Sequence, residues 1–171
     1  QTPIHLASEN GLNDVCEMLL KAGAKMDVAD KQGKNPLGVA ARGEHIAIVD
    51  MMIKAERYYE MRKFSGTYVS EDSVSFRQDR SSETQHIRNI CFKLATKYLK
   101  SNEWKRLARI WKFSEGHIKA IEHQYAGTNS YREHGYRMLL IWLHGECIAR
   151  NNPIKGIYEA LLTIDRRKLA G

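Results

Sequence analysis

The sequence predicts an all-α protein because it contains two helical patterns with a break between them. Residues 1–60 contain an internal repeat with a shift of 33 residues, a period typical of stacked helical repeats. From residue 86 to residue 171, apolar side chains recur at helical spacing, and none alternate as they do in a strand. Residues 61–85 lose this periodicity, so we expect a linker there between two helical regions.

The composition indicates a folded intracellular protein. The 171 residues are 43% hydrophobic and 27% charged, which suffices for packed cores. The longest apolar run, Met138 to Leu143, has six residues, whereas a membrane-spanning helix needs roughly 20. The three cysteines lie far apart, so we expect no disulfide framework and a cytoplasmic location, with the nucleus as the alternative. Since Gln1 is not an initiator, we expect the chain to be cut from a longer protein.

The net charge of +7 is distributed unevenly along the chain. Residues 1–83 hold 11 basic and 13 acidic side chains, whereas residues 84–171 hold 16 basic and 7 acidic ones. The second region therefore carries the positive charge. An excess of this size predicts an anionic partner for that region.

Two copies of a repeat make up the first region. Residues 3–7 (PIHLA) align with residues 36–40 (PLGVA), and residues 15–22 (VCEMLLKA) align with residues 48–55 (IVDMMIKA). The period and the string TPIHLASENGL resemble the ankyrin repeat, a turn followed by two antiparallel helices. Pro3 suits a first helical position because it needs no amide hydrogen there, and Thr2 suits the cap. Gly23 and Gly33 suit positions with positive φ.

The second copy departs from the ankyrin pattern more than the first. Asn35 replaces the usual Thr, Gly38 the usual His, Glu44 a usual Gly and Glu56 the helix-ending Gly. We expect a terminal copy, and about 1.7 copies are too few to fold alone, so they predict the end of a longer array. The resemblance implies a protein-binding surface at the turn, formed by Lys25, Asp27, Asp30, Lys31 and Gln32. The alternative is that these residues are only solvated.

The break between the two regions is rich in serine and threonine. We interpret residues 61–85 as a mostly disordered tether. Two alternatives stay open, namely docking of its apolar residues on a neighbouring domain and phosphorylation of its serines. The apolar residues concerned are Tyr68, Val69, Val74 and Phe76.

Helical stripes fill the second region. The first helix has Ile87, Ile90, Cys91, Leu94, Tyr98 and Leu99 on its inner face. The last long helix, opened by Pro153, has Ile154, Ile157, Tyr158, Leu161 and Leu162 inward, and a final turn spans residues 166–169. Ser114 is expected to cap a short helix between them.

The strings NEWKRLARIWKFSEGHIKAI, MLLIWL and YEALLTIDRRKLA resemble the death domain, a six-helix antiparallel bundle. The resemblance spans residues 86–171 and implies these core positions: Trp104, Leu107, Ala108, Ile118, Ile121, Leu139, Trp142, Ala160, Leu161 and Leu169. Lys112 stands where many members have a helix-ending Gly, and His117 where many have an acid. The whole order of modules is similar to ankyrin repeat and death domain-containing proteins, and ankyrins and the long Rel precursors share it.

No catalytic, cofactor or metal site is predicted. The sequence has no phosphate-cradling glycine loop and no nucleophile elbow. His144 with Cys147, and His117 with His123, share helices, but zinc needs two further ligands in each case. We interpret the histidines as surface residues and Cys16 and Cys91 as small core residues.

Two basic stripes are the candidate binding face. Lys105, Arg109 and Lys112 are spaced i, i+4, i+7 beside Arg106, and the preceding helix repeats that spacing with Lys93, Lys97 and Lys100. Death domains oppose such a face to an acidic face on another death domain, so the resemblance implies an acidic death-fold partner. The alternative is a basic surface without a partner.

Taken together, the sequence predicts a non-enzymatic adaptor or scaffold in intracellular signal transduction, with proteins as partners. Two alternatives remain: a basic binder of nucleic acid or acidic surfaces, and a module packed on its own ankyrin array. Nucleic acid is the less favoured partner because no helix-turn-helix or RNA-binding signature occurs.

Overall fold

The computed structural model describes residues 2–65, 75–123, 130–149 and 151–164, and in these parts every regular element is helical. The chain divides into two compact units, Gln1–Gln78 and Asp79–Gly171. Each unit has its own core. The predicted all-α class is confirmed.

The described part of the first unit contains α1 (Pro3–Glu9), α2 (Asn13–Lys21), α3 (Pro36–Arg42) and α4 (Ile46–Ser65). They form two helix pairs, and α1 packs on α3 while α2 packs on α4. The predicted turn chemistry is present, since Gly23 and Gly33 have φ of +80° and +77°. Asn35 caps α3 by accepting a hydrogen bond from the Gly38 amide at 2.8 Å, so this departure from the ankyrin pattern keeps the cap.

A buried histidine ties the first helix pair to the second. His5 is fully buried, and His117 and His134 are buried as well, so the interpretation of the histidines as surface residues was wrong for these three. Nδ1 of His5 accepts from the Thr2 amide at 3.2 Å. Its Nε2 donates to the Lys34 carbonyl at 3.1 Å, in the turn that leads into α3. The histidine of this repeat therefore holds two successive turns in register.

The predicted tether is wrong for the residues that the structure describes at its two ends. Residues 61–65 continue α4, which ends only at Ser65. Phe76 is 1% exposed and packs against Tyr58 and Tyr59 of α4. Burial of an aromatic side chain against other rings is strongly favourable in free energy, so Phe76 packs on α4 and does not remain in water. The other residues named for docking, Tyr68, Val69 and Val74, lie outside the described residues.

The described part of the second unit contains α5 (Gln85–Lys93), α6 (Glu103–Ile110), α7 (Glu115–Glu122), α8 (Tyr131–Ala149) and α9 (Pro153–Thr163). Helix α8 is central and contacts the other four. Ser114 caps α7 by accepting from the His117 amide at 3.1 Å, as predicted. The predicted turn at residues 166–169 lies outside the described residues.

A π-helical turn, Leu94–Tyr98, continues α5. The Leu99 amide donates to the Leu94 carbonyl at 2.9 Å, five residues back. Such a bond brings residue i+5, rather than i+4, over residue i. Leu94 and Leu99 are therefore buried, while Tyr98 is 50% exposed. The prediction that Tyr98 faces inward was wrong for this reason.

Most of the core of the second unit lies where the helical stripes predicted it. All the expected core positions inside the described residues are buried, while Leu169 lies outside them. On α9, Ile157, Ala160, Leu161 and Ile164 form the buried row. Three residues expected to face inward are substantially exposed: Ile154, Tyr158 and Leu162. They occupy the next row of the helix, which the described helices do not cover.

None of the helices in the described ranges is long and apolar enough to cross a membrane.

Candidate functional site

The predicted turn surface of the first unit is largely exposed. Lys25, Asp27, Lys31 and Gln32 are exposed, as expected of residues that could meet a partner. Asp30 differs, because its Oδ1 accepts from the amides of Gln32 and Lys34 at 2.9 Å each. The hydrogen bond from the Lys34 backbone amide lowers the pKa of this carboxyl most, and the hydrogen bond from the Gln32 amide lowers it further. Asp30 therefore shapes the turn, a role that sequence reasoning missed.

The basic stripe on α6 is partly neutralised by acids of the next helix. Lys105 forms an ion pair with Glu122 at the end of α7. The Nε of Arg109 donates to Oε1 of Glu115 at 2.9 Å, and this bond lowers the pKa of the Glu115 carboxyl. Two of the four cations of this stripe thus have partners inside the unit. The sequence shows acidic residues at both ends of α7, Glu115 and Glu122. Whether their side chains point toward the cations of α6 depends on how α7 packs.

Five cations of the predicted face project into solvent and have no ion-pair partner among the described residues. They are Arg106 and Lys112 beside α6, and Lys93, Lys97 and Lys100 along α5 and the π-helical turn. These side chains can exchange hydration for the carboxylates of a partner without breaking an internal pair. They are the cations of the predicted face that the described residues leave without an ion pair.

The helical elements that carry the two stripes pack on α8 near a glycine. A Cβ atom placed on Gly135 would lie 3.2 Å from Cβ of Trp104 on α6 and 3.6 Å from Cβ of Ala95 in the π-helical turn. The first distance is tight and the second is an ordinary van der Waals contact, so glycine lets α8 lie close to α6 and to the π-helical turn at this point. The sequence predicted the two stripes as flanks of one helical hairpin, but close packing of each against α8 is what positions them.

Lys112 has a left-handed backbone, with φ of +63°. The amide of Phe113 donates to the Ala108 carbonyl at 2.9 Å across this turn. Where many death domains have a helix-ending glycine, this chain keeps the glycine conformation with a lysine. This conformation costs about 1–2 kcal/mol for an L-residue. The lysine side chain at this position is exposed and carries a positive charge just beyond the end of α6.

Exposed aromatic residues lie next to the basic stripe formed by Lys93, Lys97 and Lys100. Phe92 is 47% exposed and makes an edge contact with Tyr136, with ring centroids 5.2 Å apart. Phe92 precedes Lys93 in the chain, and Tyr98, which is 50% exposed, follows Lys97. Sequence reasoning did not assign Phe92 to any surface.

The described residues contain no group of His, Cys, Asp and Glu able to hold a metal ion. Cys16 and Cys91 are fully buried, and burial raises the pKa of the Cys91 thiol to about 12. A thiol with so high a pKa is protonated near neutral pH and is a poor nucleophile.

Family comparison agrees with this architecture. Residues 1–63 match the model described as ankyrin repeats (3 copies), and residues 93–171 match the model described as death domain. The chain is an all-α protein in which ankyrin repeats precede a death domain. Both are non-catalytic modules that mediate protein–protein interactions.

The curated relatives match only part of the chain. Rabankyrin-5 from Homo sapiens is 29% identical over 84 residues, which is 48% of this chain and 7% of that protein. Rabankyrin-5 from Mus musculus is 38% identical over 53 residues, which is 31% of this chain and 4% of that protein. The matched segments span less than a tenth of either relative. No solved structure matches the chain significantly.

Proposed function

We propose that this chain acts as a non-enzymatic adaptor in cytoplasmic signal transduction, and that its death domain pairs with a death-fold protein of acidic surface. Ankyrin repeats and death domains are both protein-interaction modules, which supports the class of function. The observation that carries the proposal is the set of five exposed cations that lack ion-pair partners among the described residues.

Charge favours a different protein over a second copy of this domain. Residues 84–171 contain only 7 acidic side chains against 16 basic ones. Glu115 and Glu122 already pair with Arg109 and Lys105. A second copy therefore offers few carboxylates to the basic face, whereas an acidic death-fold domain offers many. Opposed charge of this kind speeds encounter and selects the partner more than it adds affinity.

The test reverses exposed cations while leaving the internal ion pairs intact. Arg106→Glu with Lys112→Glu is one variant of the 171-residue chain, and Lys93→Glu with Lys97→Glu and Lys100→Glu is the other. The probes are purified death domains with acidic surfaces, with binding followed by surface plasmon resonance at two salt concentrations. We expect association to slow by about tenfold or more, and the salt dependence to weaken.

Lys25→Glu with Lys31→Glu is the matched control for the double variant, because it makes the same charge change on the ankyrin turn. This control should bind the acidic domains as the parent does. Equal binding by parent and charge-reversed chains would contradict the proposal. Preferential binding of duplex DNA through the same five cations would instead support a nucleic-acid binder.

The exposed turn residues of the ankyrin unit are proposed as contacts for a second protein. They are Lys25, Asp27, Lys31 and Gln32. Asp30 stabilises the turn by accepting hydrogen bonds from the backbone amides of Gln32 and Lys34. Capture of a ligand by the parent and its loss from the Lys25→Glu and Lys31→Glu control would identify that surface.

A further inference from the structure

A short segment that follows α4 in the chain packs on helices α2 and α4 of the ankyrin unit. Residues 75–78, here named the strap, place Phe76 against Tyr58 and Tyr59 at ring-centroid distances of 5.8 and 6.4 Å. The two tyrosine rings are themselves in edge contact at 5.1 Å. Phe76 is 1% exposed, so the helices provide a slot that encloses a whole aromatic side chain.

Polar contacts fix the strap on both sides of Phe76. The guanidinium of Arg77 binds the carboxylates of Glu17 and Asp14 on α2. The Ser75 hydroxyl donates to Oε1 of Glu17 at 3.1 Å. From α4, Nζ of Lys54 donates to the Arg77 carbonyl at 3.3 Å. The surface thus recognises an aromatic ring, a cation and a backbone carbonyl within two consecutive residues.

The two helices that form this surface also contact each other directly. Helices α2 and α4 pack together, and the Tyr59 hydroxyl donates to the Leu20 carbonyl at 2.7 Å. The 33-residue repeat pattern ends before the strap begins. The strap is therefore an addition to the repeat, placed on a surface that the repeat builds.

The electrostatic environment of Glu17 agrees with a site for a cation. Burial raises the pKa of this carboxyl, but hydrogen bonds from Arg77 and Ser75 outweigh burial and leave the pKa lowered. The charged carboxylate is thus stabilised by the ligand it holds.

We propose that Asp14, Glu17, Tyr58 and Tyr59 form a peptide-binding site, that the strap is its intramolecular ligand, and that its external ligand is a protein segment with an aromatic residue followed by arginine. The proposal concerns the ankyrin unit and does not depend on the function proposed for the death domain.

Covalent attachment gives the strap an advantage over any free peptide. A tethered ligand acts at an effective concentration in the millimolar range, so a free segment with the same contacts competes poorly. A variant that vacates the site should therefore bind the peptide, and the parent should bind it at least about tenfold more weakly.

The test uses the 171-residue chain and a fluorescein-labelled peptide with the sequence VSFRQD, read by fluorescence anisotropy. Phe76→Ala with Arg77→Ala vacates the site, and this variant should bind the peptide. Adding Glu17→Arg to it should abolish binding, as should replacing Phe by Ala in the peptide. Arg80→Ala, which removes an exposed arginine just beyond the strap, is the matched control and should behave as the parent does.

Circular dichroism separates an empty site from a lost fold. If the double variant loses helical signal, Arg77→Glu replaces it, since this change retains Phe76 and repels the strap from the two carboxylates. Absence of peptide binding by a folded, vacated chain would overturn the proposal. Loss of helical structure in both variants would also overturn it, because the strap would then be an integral part of the fold.

Discussion

Met18 and Met51 occupy the same position in successive ankyrin repeats, 33 residues apart, but Met18 is 70% exposed and Met51 is 2% exposed. Val15 and Ile48 differ in the same way, at 42% and 0%. The first repeat packs against the second and thereby buries the apolar face of the second. The corresponding face of the first repeat meets no other described element. Burial of a repeat residue is thus set by the neighbouring repeat and not by its own helix.

The largest loss of stability should come from truncating Met51, and truncation of the equivalent Met18 should have almost no effect. Met51→Ala should lower the free energy of unfolding by about 2–5 kcal/mol, because it leaves a cavity where a buried side chain was. Met18→Ala should change it by less than about 0.5 kcal/mol. Urea unfolding followed by circular dichroism measures both changes.

Tryptophan fluorescence provides an internal control for this experiment. All three tryptophans, Trp104, Trp111 and Trp142, lie in the second unit. Their unfolding transition should therefore stay unchanged in either methionine variant. Equal losses for Met18→Ala and Met51→Ala would contradict the assignment of burial to the neighbouring repeat.

The histidine of the first repeat should give the next largest effect. His5 bonds to the turn before α3, whereas the equivalent residue of the second repeat is Gly38. His5→Ala should cost about 1–3 kcal/mol, because it leaves the Lys34 carbonyl without this donor and removes a buried ring. Thermal unfolding measures the loss. His123→Ala, at an exposed histidine, should have no such effect and serves as the control.

A smaller effect, with the opposite sign, is expected at the turn between the paired helices. Gly11 and Glu44 are equivalent, with φ of +68° and +58°. Glu44→Gly should stabilise the unit by about 0.5–1 kcal/mol, because glycine adopts positive φ without a Cβ penalty. The reverse change, Gly11→Ala, should destabilise it, since the new Cβ would lie 2.9 Å from the His45 ring. A fall in melting temperature for Glu44→Gly would contradict this interpretation.

The smallest expected effect is a pH dependence that belongs to the first repeat. The pKa of Glu17 is lowered in the folded chain, so its contribution is present above its unfolded pKa and is lost as pH falls through the folded value. Asp14, Lys21 and Arg77 are the charged groups around it. For a partly exposed ion pair we expect about 1 kcal/mol or less. The measurement is urea unfolding between pH 7 and acid, and Glu17→Gln should flatten the profile.

Helical periodicity predicted the described helices and most of the core of the second unit correctly, because apolar residues that share one face of a helix recur every 3.6 residues. It failed at Tyr98, where a π-helical turn changes the period. It also failed at Ile154, Tyr158 and Leu162, where the pattern does not say which of two adjacent rows meets a neighbour. For Phe76, composition suggested a tether, and only the nearby tyrosines explain its burial.

The candidate binding face was predicted as seven cations, but their availability was not predictable. The spacing of these lysines and arginines along the chain is a local property and can be read from the sequence. The pairing of Lys105 with Glu122, and of Arg109 with Glu115, depends on the angle at which α7 returns along α6. Sequence spacing does not specify that angle.

The sequence by itself determined the helices, the repeat, the order of the two modules and the concentration of positive charge in the second. These follow from local rules of periodicity, capping and charge. Only the tertiary structure decided which face of a repeat is buried, which cations remain unpaired and where the strap packs. Each of these depends on contacts between residues distant in the chain, such as Arg77 with Glu17, and no local pattern encodes such contacts.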